Sequence, residues 1–288
     1  IGRSVATAFP PREDTDSADW PDPVLGTRAL SAGPKLRDVS FDLHPGEIRG
    51  IAGLQGMGQK DLFMALFGAE PCIAGEILVD GKPLTLTSPA DALDPSVAIG
   101  LVPEERKTQG LFLKLSGADN VALPVLSRFR RGLLLDPMAE RQAAANAFEA
   151  VEVDERAHYL PAGSFSGGNQ QKISIAKWFV AQSRILLLYD PTRGIDVGTK
   201  HQLYQLIRDF AEAGGAVLFY STEIPEIVHL SDRVGVIYEG ELQDWLEGAA
   251  ITETGIMDLA LGGMSATLAE VGETGADDSG AGNRGAVA

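Results

Sequence analysis

The stretch from Ser164 to Asp196, SFSGGNQQKISIAKWFVAQSRILLLYDPTRGID, constrains the fold of this chain more than any other. Ser166, Gly167 and Gly168 stand ahead of a helical run that carries Gln170, Gln171 and Lys172. A hydroxyl and bare backbone N–H groups therefore meet the positive end of a helix dipole, which is an anion site. Further on, Ile185, Leu186, Leu187 and Leu188 are apolar on both strand faces and end abruptly on Tyr189-Asp190-Pro191-Thr192. Such a run suits a central strand of a parallel sheet, and in those sheets ligands bind beyond the carboxyl ends of the strands. Tyr189 and Asp190 are expected to point at that ligand. Taken singly, Ser-Gly-Gly reads as a helix-entry turn and the apolar run as a buried strand. At this spacing the two place a pair of phosphate-facing ends on one short segment.

SFSGGNQQK resembles the signature motif of ATP-binding cassette (ABC) ATPases, and LLLYDPTRGID resembles their Walker B strand running into the D-loop. The Asn169-Gln170-Gln171-Lys172 ending and the run Pro191 to Gly198 are most similar to the second cassette of fused, two-cassette ATPases. Those enzymes power monosaccharide importers of the ribose, galactose and xylose class. The resemblance spans roughly Val24 to Gly262. It implies an α/β, ABC-type P-loop cassette with a mostly parallel core sheet, an antiparallel β subdomain and a helical subdomain at about 107–180. It also implies ATP and Mg²⁺ as ligands, with Ser166, Gly167, Gly168, Asn169 and Gln170 as the signature and Tyr189, Asp190 and Asp196 as the Walker B and D-loop residues.

The phosphate loop departs from the family. Glu47 to Asp61 reads as strand, glycine-rich turn and helix, yet the GxxxxGK[ST] pattern fails, and the order GxxGxG differs from the GxGxxG of a dinucleotide-binding turn. With Gly53, Gly56 and Gly58 on the family's glycines, Gln59 stands at the phosphate-binding Lys and Lys60 at the Mg²⁺-binding Ser/Thr, with Asp61 next. A neutral amide there carries no charge, and an ammonium repels a cation; one reading has Lys60 reaching back to a phosphate. Relatives place an aromatic near Ala32–Gly33 to stack on adenine, and this chain has none there. Glu104 sits where many cassettes have the Q-loop Gln. Asp190 falls either at the catalytic Glu, leaving Tyr189 at the Walker B Asp, or at the Walker B Asp itself with the Glu missing. Either way one carboxylate is gone. Thr222 takes the place of the switch His and cannot act as a base.

Residues 1–23, rich in Pro, Asp and Ser, read as an inter-cassette linker, and residues 263–288, mostly Gly, Ala, Asp, Glu and Thr, as a disordered tail. Short antiparallel strands are expected from Val24 to Gly50, strands around the Asp80-Gly81 turn, an amphipathic helix from Met138 to Phe148, and another over 200–213. A buried strand should follow at 216–220, a short helix at 226–232 and a last strand at 233–238. The formal charge of −16 argues against nucleic acid as a partner. The single cysteine, Cys72, points to a reducing cytosol, and His44, His158, His201 and His229 lack metal-ligand spacing. A start at Ile1 suggests a piece of a longer polypeptide.

The leading expectation is thus a C-terminal cassette at the cytoplasmic face of the membrane, with a degenerate site of its own and a signature that serves the other cassette. Its partners would be an N-terminal cassette of the same polypeptide or a second copy, transmembrane permease subunits and, through them, a periplasmic or extracellular sugar-binding protein. The competing expectations are a stand-alone, non-catalytic nucleotide-binding regulatory module and an active P-loop NTPase of another type.

Overall fold

The computed structural model describes residues 9–10, 20–132 and 134–263. The expected tail, Gly263 apart, and most of the expected linker lie outside them. β1 (Leu25–Ala32) and β2 (Leu36–Leu43) form a hairpin; β4 (Cys72–Val79) and β5 (Lys82–Leu84) complete an antiparallel sheet in the order β2-β1-β4-β5. Val39, Phe41 and Leu43 face inward while Asp38 and Ser40 are exposed, the period-two pattern of a sheet with one covered face.

The main sheet follows the order β12-β11-β3-β10-β9-β6, with β3 (Ile48–Ala52), β6 (Ile99–Val102), β9 (Ile185–Tyr189), β10 (Ala216–Tyr220), β11 (Arg233–Tyr238) and β12 (Glu241–Glu247). Every pairing in it is parallel except that of the edge strand β12, which runs antiparallel to β11. Every residue of β3, β9 and β10 is buried, so alternation is lost in the interior, with continuous apolar runs in β9 and β10 and a buried Arg49 in β3. The helices are α1 (Gln59–Leu66), α2 (Pro89–Ala92), α3 (Gly117–Ala122), α4 (Pro137–Ala150), α5 (Gly167–Val180), α6 (Val197–Glu212), α7 (Ile224–Leu230) and α8 (Glu253–Ala260), with a π-helical turn at Arg106–Gly110.

Several expectations shift. β11 is not the last strand: β12 follows it, and α8 follows that. The helical segment between 107 and 163 also holds a short hairpin, β7 (Arg130–Arg131) with β8 (Leu134–Leu135). α6 starts at Val197 rather than 200 because the Asp196 carboxylate caps it, accepting from Thr199 N at 3.0 Å. α7 spans 224–230 rather than 226–232, with Pro225 in its first turn, where a missing N–H costs nothing. Ahead of the sheets, the Phe9 ring stacks on Tyr204 of α6 (4.8 Å) and on His229 of α7 (4.5 Å).

Candidate functional site

β3 feeds α1 through a loop in which Gly53, Gly56 and Gly58 hold φ of 139°, 82° and 110°. That backbone suits glycine, and a Cβ on Gly53 would lie 2.2 Å from Ile237 O. Leu62 N, bonded to Gly58 O at 3.1 Å, leaves the first-turn amides of α1 available to an anion. Gln59 is fully buried inside the loop: its Oε1 accepts from Met57 N and its Nε2 donates to Leu54 O, both at 3.0 Å. A neutral amide thus satisfies the loop from within.

Lys60 is exposed. The ammonium that meets the loop belongs instead to Lys35, in the turn between β1 and β2, whose Nζ donates to Gly56 O at 2.5 Å. Asp61 holds that turn in place: its Oδ2 accepts from Lys35 N at 3.0 Å, and a Cβ on Gly33 would lie 2.5 Å from its carboxyl carbon.

At the end of β9, the Tyr189 ring is buried, stacked on Tyr220 (4.8 Å, 14°) and close to Phe63 of α1 (5.3 Å). Burial, with Tyr220, Asp190 and Asp61 nearby, pushes its hydroxyl pKa far up, so the phenol stays neutral. Asp190 is buried with φ of 50° and accepts from Thr222 twice, from N at 3.3 Å and from Oγ1 at 3.0 Å. Burial raises its pKa against the opposing pull of those two bonds. The two residues expected at catalytic and switch positions therefore meet each other. At the positions expected to serve Mg²⁺, Lys60 offers an ammonium and Tyr189 a neutral phenol, with the Asp190 and Asp61 carboxylates nearby.

The second anion-facing end lies at α5. Ser166 is its N-cap, exposed, and its Oγ accepts from Asn169 N at 3.4 Å and Asn169 Nδ2 at 3.3 Å, long bonds that engage the hydroxyl weakly. Gln170 turns inward and donates to Phe165 O at 2.9 Å. Gly168 is needed for contact: a Cβ there would lie 2.3 Å from Thr199 Cγ2, so the starts of α5 and α6 touch through this glycine. Around them runs a reciprocal clasp. Arg106 donates through Nη1 to Arg193 O (2.9 Å) and Nη2 to Gly194 O (3.4 Å), and its guanidinium lies over Gly167; Arg193 in turn pairs with Glu104 and, at 3.7 Å, with Glu105. Glu104 therefore faces the D-loop arginine. Below the clasp, Lys177 of α5 donates to Gly110 O, and burial pulls its pKa down to about 8.

Residues 36–193 match the model of the ABC transporter family. The chain belongs to the ABC transporter family. It is 43% identical over 261 residues to the ribose import ATP-binding protein RbsA 1 of Rhizobium johnstonii, covering 91% of this chain and 51% of that protein. It is 37% identical over 264 residues to the ribose import ATP-binding protein RbsA of Lacticaseibacillus paracasei, covering 92% and 52%. The chain spans about half the length of the curated relatives it matches. Among solved structures, cbiO1 of Clostridium perfringens, part of the ABC transporter complex cbiONQ, shares its fold with a TM-score of 0.68 at 21% identity, over 86% of this chain and 100% of that one.

The α/β cassette fold expected from the sequence is the one observed. Around the two anion-facing ends the structure adds participants that the sequence reading did not single out. Lys35 and Arg106 reach their loops from other elements. Arg193 completes the clasp, and Glu226, fully buried, accepts from Thr192 Oγ1 (2.7 Å), Ser221 Oγ (2.7 Å), Lys200 Nζ (2.9 Å) and Tyr204 OH (2.6 Å).

Proposed function

We propose that this chain is the C-terminal cassette of a fused two-cassette monosaccharide ABC importer ATPase. Its own phosphate site is degenerate, and its signature completes the ATP site of the other cassette. The observation that carries this reading is the contrast between the two anion-facing ends. At the P-loop, Gln59 closes the loop on itself and Tyr189 is taken up in an aromatic stack, whereas Ser166 is exposed at an undistorted helix start. Keeping the second end beside the first makes sense if its ligand is the γ-phosphate of ATP held elsewhere. Support for the sugar-import class comes from the names of the relatives, and the half-length overlap fits one cassette of a longer protein.

In this reading the partners are an N-terminal cassette of the same polypeptide, or a second copy, and transmembrane permease subunits that receive sugar from a periplasmic or extracellular binding protein. No helix among the described residues is long and apolar enough to cross a membrane, so membrane work passes through those subunits at the cytoplasmic face. ATP is the nucleotide, with Mg²⁺ acting at the other cassette's site and weakly or not at all at this one.

Ser166→Arg tests the proposal by placing a bulky side chain where the γ-phosphate approaches. Ser166 is an exposed turn residue, so the fragment should stay folded. In the two-cassette protein with its membrane subunits, ATPase and transport should fall about tenfold or more, at least roughly 1.4 kcal/mol of transition-state stabilisation. Wild-type hydrolysis and import by that variant would overturn the composite-site reading.

A further inference from the structure

We propose that the P-loop of this chain takes the polyphosphate of a nucleotide without a metal ion and without reading the base, and that Lys35 supplies the positive charge. The proposal rests on the reading of this loop as a degenerate nucleotide site and assigns it a ligand class and a residue. The charge has moved from the helix to the hairpin. Gln59 is neutral and engaged within the loop, Lys60 is exposed, and Lys35 Nζ lies 2.5 Å from Gly56 O and 3.4 Å from where a Gly56 Cβ would stand. An ammonium has three donors, of which that carbonyl takes one.

The backbone carrying Lys35 is fixed from two sides. Asp61 Oδ2 accepts from Lys35 N at 3.0 Å, Arg37 N donates to Gly240 O at 2.8 Å, and a Cβ on Gly240 would collide with Lys35 O. The stem of the lysine therefore starts from a fixed point at the loop, while its ammonium keeps rotamer freedom. The Gln59 carboxamide oxygen takes the Met57 amide, and a phosphate is left the free first-turn amides of α1 together with the Lys35 ammonium.

The same hairpin offers no platform for a base. Gly33 has φ of 55° and the Asp61 carboxyl beside it, which leaves no room for a side chain, and residues 21–40 contain no aromatic. Recognition is left to the phosphates. Lys60 and Tyr189 give Mg²⁺ no anionic ligand and both oxygens of Asp190 are engaged by Thr222, so no gain from the metal is expected.

The test titrates the full 288-residue chain with ATP, GTP and inorganic tripolyphosphate by calorimetry, in EDTA and with Mg²⁺. The three ligands are expected to bind within about threefold of one another in EDTA, with Mg²⁺ giving no gain. Lys35→Ala should weaken each about tenfold or more, as loss of a charge-assisted contact does, while Lys35→Arg and Lys60→Ala stay within about threefold. Lys35→Arg separates loss of charge from loss of fold. Unchanged binding by Lys35→Ala, a tenfold preference for ATP over tripolyphosphate, or no binding by the unaltered chain would each overturn the proposal. The composite-site reading is read out by ATPase and transport of the two-cassette protein and this one by binding to the single chain, so their failures are told apart.

Discussion

Asp190 is a buried carboxylate whose oxygens both accept from one residue, Thr222, on a backbone with φ of 50°. Burial raises its pKa, so in the acid range the folded protein binds this proton more tightly than the unfolded chain. The stability it contributes is complete below the ordinary carboxylate pKa and is lost as pH rises through the raised one; at neutral pH the ionised group is a net cost. Asp190→Asn keeps the shape, removes the charge and tolerates the left-handed backbone. It should raise the melting temperature at pH 7 by about 1–3 °C, with the gain shrinking toward pH 4. Melting curves of both proteins at the two pH values check this, and a lower melting temperature at pH 7 contradicts it. At this scale the site was partly legible. Gln59, Tyr189 and Thr222 could be read from motif alignment because each occupies a numbered place in a pattern. Lys35 could not, since it meets the loop through a turn whose position depends on the packing of Gly33 against Asp61. Nor could the contact of Asp190 with Thr222, which only the parallel pairing of β9 with β10 creates.

Two elements meet at Gly168 and four at Glu226. Gly168→Ala drives a Cβ into Thr199, which is itself tethered to Asp196 through Oγ1 at 2.8 Å, so the start of α5 must move away from α6. The expected cost is about 1–3 kcal/mol in urea unfolding, the range for overpacking. Adding Thr199→Ala should recover part of it; strict additivity of the two changes would show that the crossing is not the cause. Glu226 of α7 gathers Thr192 from the D-loop, Ser221 from the end of β10, and Lys200 and Tyr204 from α6. Glu226→Ala leaves the Lys200 ammonium, 13% exposed, with one carboxylate partner, Glu223, and strands three more polar groups. Breaking a buried ion pair of this kind costs about 3–5 kcal/mol, and a loss under about 1 kcal/mol in urea would show that the network is not a structural hub. The elements with strong patterns, β9, β10 and α6, were readable from sequence. β12 was not, because ELQDWLE has no clean alternation and gains its place by pairing with β11 at the sheet edge. The two-residue strands of the β7–β8 hairpin are too short to carry a period.

The whole molecule sets a P-loop whose Gln59 is bonded within the loop beside an exposed Ser166, and under the proposed reading the isolated chain is catalytically silent. In that reading its own site lacks the loop lysine, a carboxylate and the switch histidine, and single lost donors of this sort cost about 10²–10³ in rate. ATP turnover by the purified chain should sit at background; robust Mg²⁺-dependent hydrolysis, abolished by Asp190→Asn, would contradict that. A different consequence follows from Phe9. Its ring is held between Tyr204 and His229, on the same pair of helices that Glu226 joins. Residue 9 is therefore moored on the α6–α7 surface, ahead of β1 in the chain. The reach of anything attached upstream is measured from that mooring, and a shorter free leash raises the local concentration of its far end around the cassette. Phe9→Ala would lengthen the leash without touching either anion-facing end.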